Sequence, residues 1–131
     1  MRVFMVDDSP EVLKSVSQFL AETPGIELVG VALSGEESLP ELARLKPDVV
    51  LMDLAMPGMG GLEATRRIKA SPTAPRVLLL SLYDAALFSE DVRACGADAY
   101  LGKGQIGDHL VPLILSLAAG PGAGLEETAT A

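Results

Sequence analysis

Five short apolar runs, separated by longer mixed segments, set the pattern of this chain. The third run, Val49-Val50-Leu51-Met52, has no polar residue and includes two β-branched side chains. An uninterrupted apolar run of this kind is typical of a strand buried on both faces, as in a parallel sheet. The pattern predicts strands over residues 2–6, 26–33, 48–52, 76–80 and 98–101.

The segments between these runs carry apolar residues at helical spacing. Ser9 precedes a proline and suits an N-cap, and Ser34 stands three residues before Glu37, which is the spacing of a capping box. Pro40 and Pro112 fall inside the second and fifth patterns, so each of those helices is expected to start late or to kink. Helices are predicted after Ser9, after Ser34 and over residues 62–70, 85–95 and 105–119.

Strands and helices therefore alternate along the whole chain. This alternation predicts a doubly wound α/β fold, in which a five-stranded parallel sheet has helices on both faces. Right-handed crossover connections bring the carboxyl end of every strand to the same edge of the sheet. Residues that follow different strands are expected to meet at that edge.

Composition narrows the class of protein. The 131 residues suit one domain, and 49% hydrophobic with 21% charged residues is typical of a globular chain. The net charge of -8 opposes direct nucleic-acid binding by this segment, and no run suits a membrane span. The single cysteine, Cys95, fits a reducing cytoplasm and is interpreted as a packing residue. The domain is expected to cover residues 1–119, and residues 120–131 are predicted to be a flexible linker or tail.

Polar side chains follow four of the predicted strands. Asp7 and Asp8 come after the first strand, Asp53 after the third, Ser81 after the fourth and Lys103 after the fifth. Unrelated turn residues are the plain alternative, because Asp, Ser and Lys are common in loops. We favour a common site, since four strand ends that meet at one edge all carry such a side chain.

Carboxylates, a hydroxyl and a lysine form a set that suits phosphoryl transfer. Three carboxylates in one crevice repel one another and call for a cation. Oxygen ligands favour Mg²⁺, whereas the single histidine, His109, gives no zinc site. A lysine and a hydroxyl can bind phosphoryl oxygens, and a carboxylate can be the nucleophile. The sequence thus predicts an aspartyl phosphate that forms with Mg²⁺.

The order of these residues resembles the receiver domain of two-component response regulators. The resemblance covers residues 2–119 and rests on Asp7-Asp8, on residues 52–59, on Ser81 and on residues 96–103. It implies a flavodoxin-like fold with strand order 2-1-3-4-5. Residues 34–37, together with a lysine that no proline follows, are similar to receivers attached to LuxR-type helix-turn-helix output domains.

The resemblance implies a role for each carboxylate. Asp53 would accept the phosphoryl group from a sensor histidine kinase. Asp8 and Asp53 would bind Mg²⁺ directly, together with the backbone carbonyl of Ala55, and Asp7 would hold the metal through water. Such a protein catalyses its own phosphorylation and dephosphorylation and is not a turnover enzyme.

A switch is implied by the same resemblance. Ser81 and Lys103 would bind the phosphoryl oxygens, and Ser81 with Tyr100 would form a switch pair whose ring turns inward on phosphorylation. The fourth and fifth helices would then change their association, with a second copy of the chain or with a partner. The implied output is transcription through a DNA-binding domain outside these residues. The alternative is a stand-alone receiver that regulates a partner protein.

Three positions depart from the family pattern. Gly60 stands where an aspartate is frequent, which is expected to loosen the loop before Gly61 without touching the chemistry. Lys103 is followed by Gly104 rather than by proline, and Ser81 replaces the commoner threonine. None of these changes removes an essential group, so the sequence predicts an active receiver.

Three other classes of protein compete with this interpretation. A flavin-binding domain of the same architecture needs a hydroxyl-rich and glycine-rich phosphate loop after the first strand, and residues 7–10 are acidic instead. A phosphatase related to haloacid dehalogenases needs Asp-x-Asp spacing, which Asp7-Asp8 lacks. A pure interaction module would leave the carboxylates and Lys103 unexplained.

Overall fold

The computed structural model of the chain describes residues 1–82 and 89–119. Its strands are β1 (Arg2–Val6), β2 (Glu27–Ala32), β3 (Val49–Asp53), β4 (Arg76–Ser81) and β5 (Ala99–Gly102). Its helices are α1 (Pro10–Ala21), α2 (Gly35–Leu45), α3 (Gly61–Lys69), α4 (Ser89–Ala94) and α5 (Ile106–Ala119), and a 3₁₀ turn, Lys103–Gln105, joins β5 to α5. Residues 85–88 of the predicted fourth helix and the predicted linker, 120–131, lie outside the described residues.

The strands form one parallel sheet in the order β2-β1-β3-β4-β5. The central strand β3 lies between β1 and β4, and all of its residues are buried. Its position explains why its sequence is apolar on both faces. The predicted doubly wound fold and the strand order 2-1-3-4-5 are confirmed, and the carboxyl ends of all the strands point to one edge.

Two hydrophobic cores cover the two faces of the sheet. Val50 and Met52 of β3 pack into the core that also contains side chains of α2, α3 and α4. Val49 and Leu51 pack into the core that contains side chains of α1 and α5. Because neighbouring residues of a strand point to opposite faces, β3 contributes to both cores and fixes the position of its last residue, Asp53. None of the described helices is long and apolar enough to cross a membrane.

The helix starts follow the predicted capping residues. The hydroxyl of Ser9 accepts a hydrogen bond from the backbone N–H of Val12 at 3.3 Å. The hydroxyl of Ser34 accepts one from the backbone N–H of Glu37 and donates another to the Glu37 carboxylate, both at 3.1 Å. In each helix the serine hydroxyl satisfies an N–H group of the first turn, so both predicted N-caps are confirmed.

Pro40 and Pro112 lie inside regular helices, and the predicted late starts are therefore wrong. Both α2 and α5 begin more than one turn before their proline. Each proline removes one backbone N–H, which would have bonded to the carbonyl four positions earlier, at Glu36 or at Asp108. Both prolines and both of these residues are exposed, so water can satisfy the carbonyl that is left without a partner.

Asp98 ties α3 to β4 at the amino edge of the sheet, the edge opposite the predicted site. Its carboxylate accepts from Lys69 Nζ at 2.9 Å, from Arg76 Nη1 at 3.2 Å and from the backbone N–H of Val77 at 2.8 Å. Only 14% of this side chain is exposed. The sequence indicated a strand start at this position and gave no sign of the contacts.

Replacing Asp98 by Ala should lower the free energy of unfolding by about 3 kcal/mol. It removes the carboxylate acceptor of two partly buried cations and of one backbone N–H, and among the described residues only Lys69 keeps another acceptor, the carbonyl of Pro75. Urea unfolding at neutral pH measures the change. Glu41→Ala is the matched control, because its ion pair with Arg44 is exposed and should contribute less than about 1 kcal/mol. Equal losses in the two variants would contradict a special role for Asp98.

Candidate functional site

The predicted site residues converge at the carboxyl edge of the sheet. Carboxylate oxygens of Asp7, Asp8 and Asp53 all lie within 4.8 Å of one another. Lys103 reaches into this cluster from the turn after β5, with its Nζ 2.9 Å from Asp7 Oδ2 and 3.2 Å from Asp53 Oδ1. Ser81 ends β4 at the same edge and is buried. Four strands therefore contribute to one cluster, and the alternative of unrelated turn residues is set aside.

The three carboxylates differ in their surroundings. Asp7 is fully buried, and both of its oxygens are engaged, one by the backbone N–H of Ser9 at 2.9 Å and one by Lys103. Asp53 is 4% exposed and ends the buried strand β3. Asp8 is exposed to solvent. The pocket thus opens on the side of Asp8, with Asp7 and Lys103 forming its inner wall.

Charge in the pocket is not balanced by the protein alone. Burial raises the pKa of Asp53 from 3.8 to about 6, the charge of Asp7 adds to this effect, and the attraction of Lys103 only partly opposes it. Burial also acts to lower the pKa of Lys103, but its hydrogen bond to Asp7 and the charges of both carboxylates outweigh burial and raise that pKa. Three carboxylates face one lysine, so a divalent cation would complete the balance, and an all-oxygen site suits Mg²⁺.

In the absence of Mg²⁺, Asp53→Asn should raise the free energy of unfolding at pH 8 by about 2 kcal/mol. A carboxyl group whose pKa is higher in the folded than in the unfolded chain destabilises the fold once it ionises. This penalty is absent below about pH 4, grows as the pH rises towards 6 and is then constant. Urea unfolding of the native and variant chains at pH 4, 6 and 8 tests the prediction. If the variant gains the same free energy of unfolding at all three pH values, the prediction is contradicted.

Close backbone packing fixes the loop that follows Asp53. The backbone N–H of Leu54 donates to the carbonyl of Leu80 at 2.8 Å, and that of Gly61 donates to the carbonyl of Leu54 at 2.9 Å. A Cβ on Gly61 would overlap the Asp53 carbonyl oxygen and would lie 2.8 Å from the Cα of Leu54. Sequence reasoning treated Gly61 as part of a loop motif and did not find this contact.

Tyr100 lies in β5, on the face of the sheet that is covered by α2, α3 and α4, and is 3% exposed. Its strand pairs with β4, where Ser81 stands opposite Gly102. Ala55 is the second residue of the loop after β3 and is exposed. The structure thus places each residue of the predicted site at or near the carboxyl ends of β1, β3, β4 and β5.

The fold and the acidic cluster at the carboxyl edge of the sheet together define the receiver class of signalling domains. The chain belongs to the response regulator receiver domain family, whose model matches residues 3–114. Receiver domains bind Mg²⁺ at this acidic pocket and take the phosphoryl group from histidine kinases. The recognition made from the sequence is confirmed.

Curated relatives support the assignment to the response regulator family. The chain is 41% identical over 120 residues to the response regulator GacA of Pseudomonas viridiflava, a match that covers 92% of this chain and 56% of that protein. It therefore spans about half the length of the curated relatives that it matches.

Solved structures place the fold in the same family. A two-component response regulator of the LuxR family from Aurantimonas sp. SI85-9A1 matches with a TM-score of 0.85 and 33% identity, over 91% of this chain and 85% of that one. The response regulator domain of Thermotoga maritima CheB matches with a TM-score of 0.83 and 27% identity, over 92% of this chain and 97% of that one.

Proposed function

We propose that this chain is a phosphorylation-dependent switch in which Asp53 takes a phosphoryl group from the phosphohistidine of a sensor kinase. A carboxylate oxygen of Asp53 would attack phosphorus, the phosphorus–nitrogen bond would break, and the imidazole nitrogen would leave with the electron pair. The observation that carries the proposal is the contact of Lys103 with both Asp7 and Asp53 inside an acidic pocket. This lysine places a positive charge where phosphoryl oxygens would come to lie.

Asp8, Asp53 and the backbone carbonyl of Ala55 are the proposed direct ligands of Mg²⁺. Asp7 is assigned a contact through water, because the backbone of Ser9 and Lys103 already engage both of its oxygens. When it is bound, Mg²⁺ would neutralise negative charge that develops on the phosphoryl oxygens. Asp7 has a second task, which is to hold the Lys103 ammonium group towards Asp53.

Ser81 and Lys103 are the proposed partners of the phosphoryl oxygens, and Ser81 with Tyr100 is the proposed switch pair. The burial of Ser81 at the end of β4 supports the first assignment, since a hydroxyl there is held at the pocket edge. Tyr100 lies on the neighbouring strand and combines a large apolar ring with a polar tip. The chain would catalyse its own phosphorylation and dephosphorylation, without turnover of a substrate.

Incubation with acetyl phosphate tests the proposed function. Intact-mass measurement should show one added phosphoryl group in the presence of Mg²⁺ and none with a chelator. The modification should survive acid and be lost in base, as expected of an acyl phosphate. Addition that does not require a divalent cation, or that survives base, would contradict the proposal.

The proposed division of the chain is a receiver over residues 1–119 and a linker or tail over residues 120–131. The relatives extend well beyond the matched segment, and one structural relative is a LuxR-family regulator. We therefore propose transcription as the output, through a DNA-binding domain outside these residues, and the cytoplasm as the location. The net charge of -8 supports placing any DNA contact outside this segment.

Phosphorylation should change the association of the chain through the surface near α4 and α5. Exposed apolar side chains support this surface: Leu82 after β4 is 81% exposed and Leu115 of α5 is 49% exposed. Beryllofluoride, a phosphoryl mimic, should raise the sedimentation coefficient of the native chain towards that of a dimer. Asp53→Asn, which lacks the anionic oxygen that binds beryllofluoride, should sediment unchanged. A native chain that stays monomeric would leave regulation of a partner protein as the output.

A further inference from the structure

The loop between β3 and α3, residues 54–60, ends at a helix start that, among the described residues, has no side-chain N-cap hydrogen bond. Gly60 is the N-cap of α3, and no described side chain makes a capping hydrogen bond to this helix. A capping side chain would accept from an N–H of the first turn and would fix the loop to the helix. Because the proposed Mg²⁺ ligand Ala55 lies in this loop, the position of the loop matters to the site.

Glu36, in the first turn of α2, contacts this loop from another helix. Its Oε2 atom accepts a hydrogen bond from the backbone N–H of Met59 at 3.3 Å. The same atom lies against Gly58, where a Cβ would stand 2.9 Å from it. Gly58 has a φ of 72°, a backbone conformation that favours glycine, and the absence of a side chain there leaves room for the carboxylate.

The neighbouring glutamate, Glu37, does not make this contact. Glu37 folds back to Ser34 and accepts a hydrogen bond from its hydroxyl, whereas Glu36 reaches a residue 23 positions along the chain. Beside Glu36, the buried Gly35 leaves room for Met59, whose carbonyl oxygen and Sδ would lie 3.1 Å and 3.4 Å from a Cβ there. The start of α2 and the last residues of the loop therefore pack together.

We propose that Glu36 is a positioning residue for the Asp53 site, in the role that a capping side chain at Gly60 would otherwise have. The loop is fixed near Asp53 and at Gly61 by backbone hydrogen bonds, and Glu36 adds a third attachment between them. A ligand loop that is held in place loses less conformational freedom when it binds a cation. The inference rests on the proposed function, because it concerns Mg²⁺ binding and phosphorylation at that site.

Glu36→Ala, Glu36→Gln and Glu37→Ala, each in the whole chain, test the proposal. The first variant removes the acceptor, the second keeps an acceptor oxygen without the charge, and the third removes an equal charge from the same turn. Hydrogen exchange of the Met59 amide reports the contact, while calorimetric titration with Mg²⁺ and the rate of phosphorylation by acetyl phosphate report the site. Thermal unfolding of each variant separates a local effect from a loss of the whole fold.

Glu36→Ala should speed Met59 exchange and should weaken Mg²⁺ binding and phosphorylation by about 3–10-fold, the effect of one hydrogen bond. Glu36→Gln and Glu37→Ala should stay within about twofold of the native chain in both measurements. A small effect on thermal unfolding is expected from all three, since the contact is exposed.

Gly60→Asn in the Glu36→Ala background provides the rescue. Gly60 has a φ of -71°, and a Cβ there would lie no closer than 3.6 Å to its surroundings, so asparagine fits as a neutral N-cap. The double variant should recover native Mg²⁺ affinity to within about twofold. Native behaviour of Glu36→Ala, an equal loss in Glu37→Ala, or no recovery with Gly60→Asn would overturn the proposal. A native chain that neither binds Mg²⁺ nor accepts phosphate would contradict the proposed function instead.

Discussion

Asp53→Asn is expected to show no detectable phosphorylation. The rate of phosphorylation by acetyl phosphate should fall by at least about 10³-fold. An amide has no anionic oxygen to attack phosphorus, and the other carboxylates cannot take over. Asp7 is fully buried and bonded to Lys103, while Asp8 lies at the open side of the pocket as a proposed metal ligand. Intact-mass measurement after incubation with acetyl phosphate and Mg²⁺ gives the extent of modification.

Asp48→Asn is the matched control for this result. Asp48 is an exposed aspartate just before β3, at the opposite end of the same strand. The Asp48→Asn variant should be phosphorylated at the native rate, because the change leaves the acidic pocket untouched. Phosphorylation of Asp53→Asn at the native rate would show that another side chain is the acceptor and would refute the assignment of Asp53.

Burial of Asp53, the proposed phosphoryl acceptor, affects both the stability of the fold and the reactivity of this carboxylate. Burial and the charge of Asp7 raise the pKa of Asp53 to about 6, so that part of the cation-free protein holds this group protonated near neutral pH. A protonated carboxyl group is a poor nucleophile. A divalent cation beside Asp53 would favour the ionised form, which offers a physical reason for a reaction that depends on Mg²⁺.

The convergence of Asp7, Asp8, Asp53 and Lys103 could be predicted because it depends only on strand order and on where the strands end. The apolar run before Asp53 identifies the central strand, and right-handed crossovers place the strand ends together. Even so, the bounds shifted by a residue: Asp53 belongs to β3 itself and pairs with Leu80. Such shifts leave the side chains at the same edge, so the site is unaffected.

The remaining contacts depend on tertiary packing that no local pattern encodes. Glu36 and Glu37 stand side by side in the sequence, yet one bonds to its own helix and the other to a distant loop. Asp98 is a short polar residue between glycine- and alanine-rich positions, and its three donors come from α3 and β4. Of the two alternatives that Pro40 suggested for the second helix, the late start is wrong, because an exposed proline is tolerated where water can satisfy the carbonyl that is left over.

Gly61→Ala should lower the free energy of unfolding by about 3 kcal/mol and reduce phosphorylation by about 100-fold. A Cβ at this position would overlap the carbonyl oxygen of Asp53 and crowd the Cα of Leu54, and these are backbone atoms that no side-chain rotation can move away. Relief of this overlap requires a shift of Asp53 itself, the proposed phosphoacceptor. Urea unfolding and the rate of acetyl phosphate labelling measure the two effects.

Gly60→Ala is the control for Gly61→Ala, since it makes the same chemical change one residue earlier. A Cβ on Gly60 would meet nothing closer than the Leu54 carbonyl oxygen at 3.6 Å, and its φ of -71° suits any residue. The control should stay within about 1 kcal/mol of the native stability and should be phosphorylated at a similar rate. If both variants lose phosphorylation equally, flexibility of the loop rather than its contact with Asp53 controls the site. A loss confined to Gly61→Ala would show that the first turn of α3 sets the position of the acceptor, through an approach that only glycine allows.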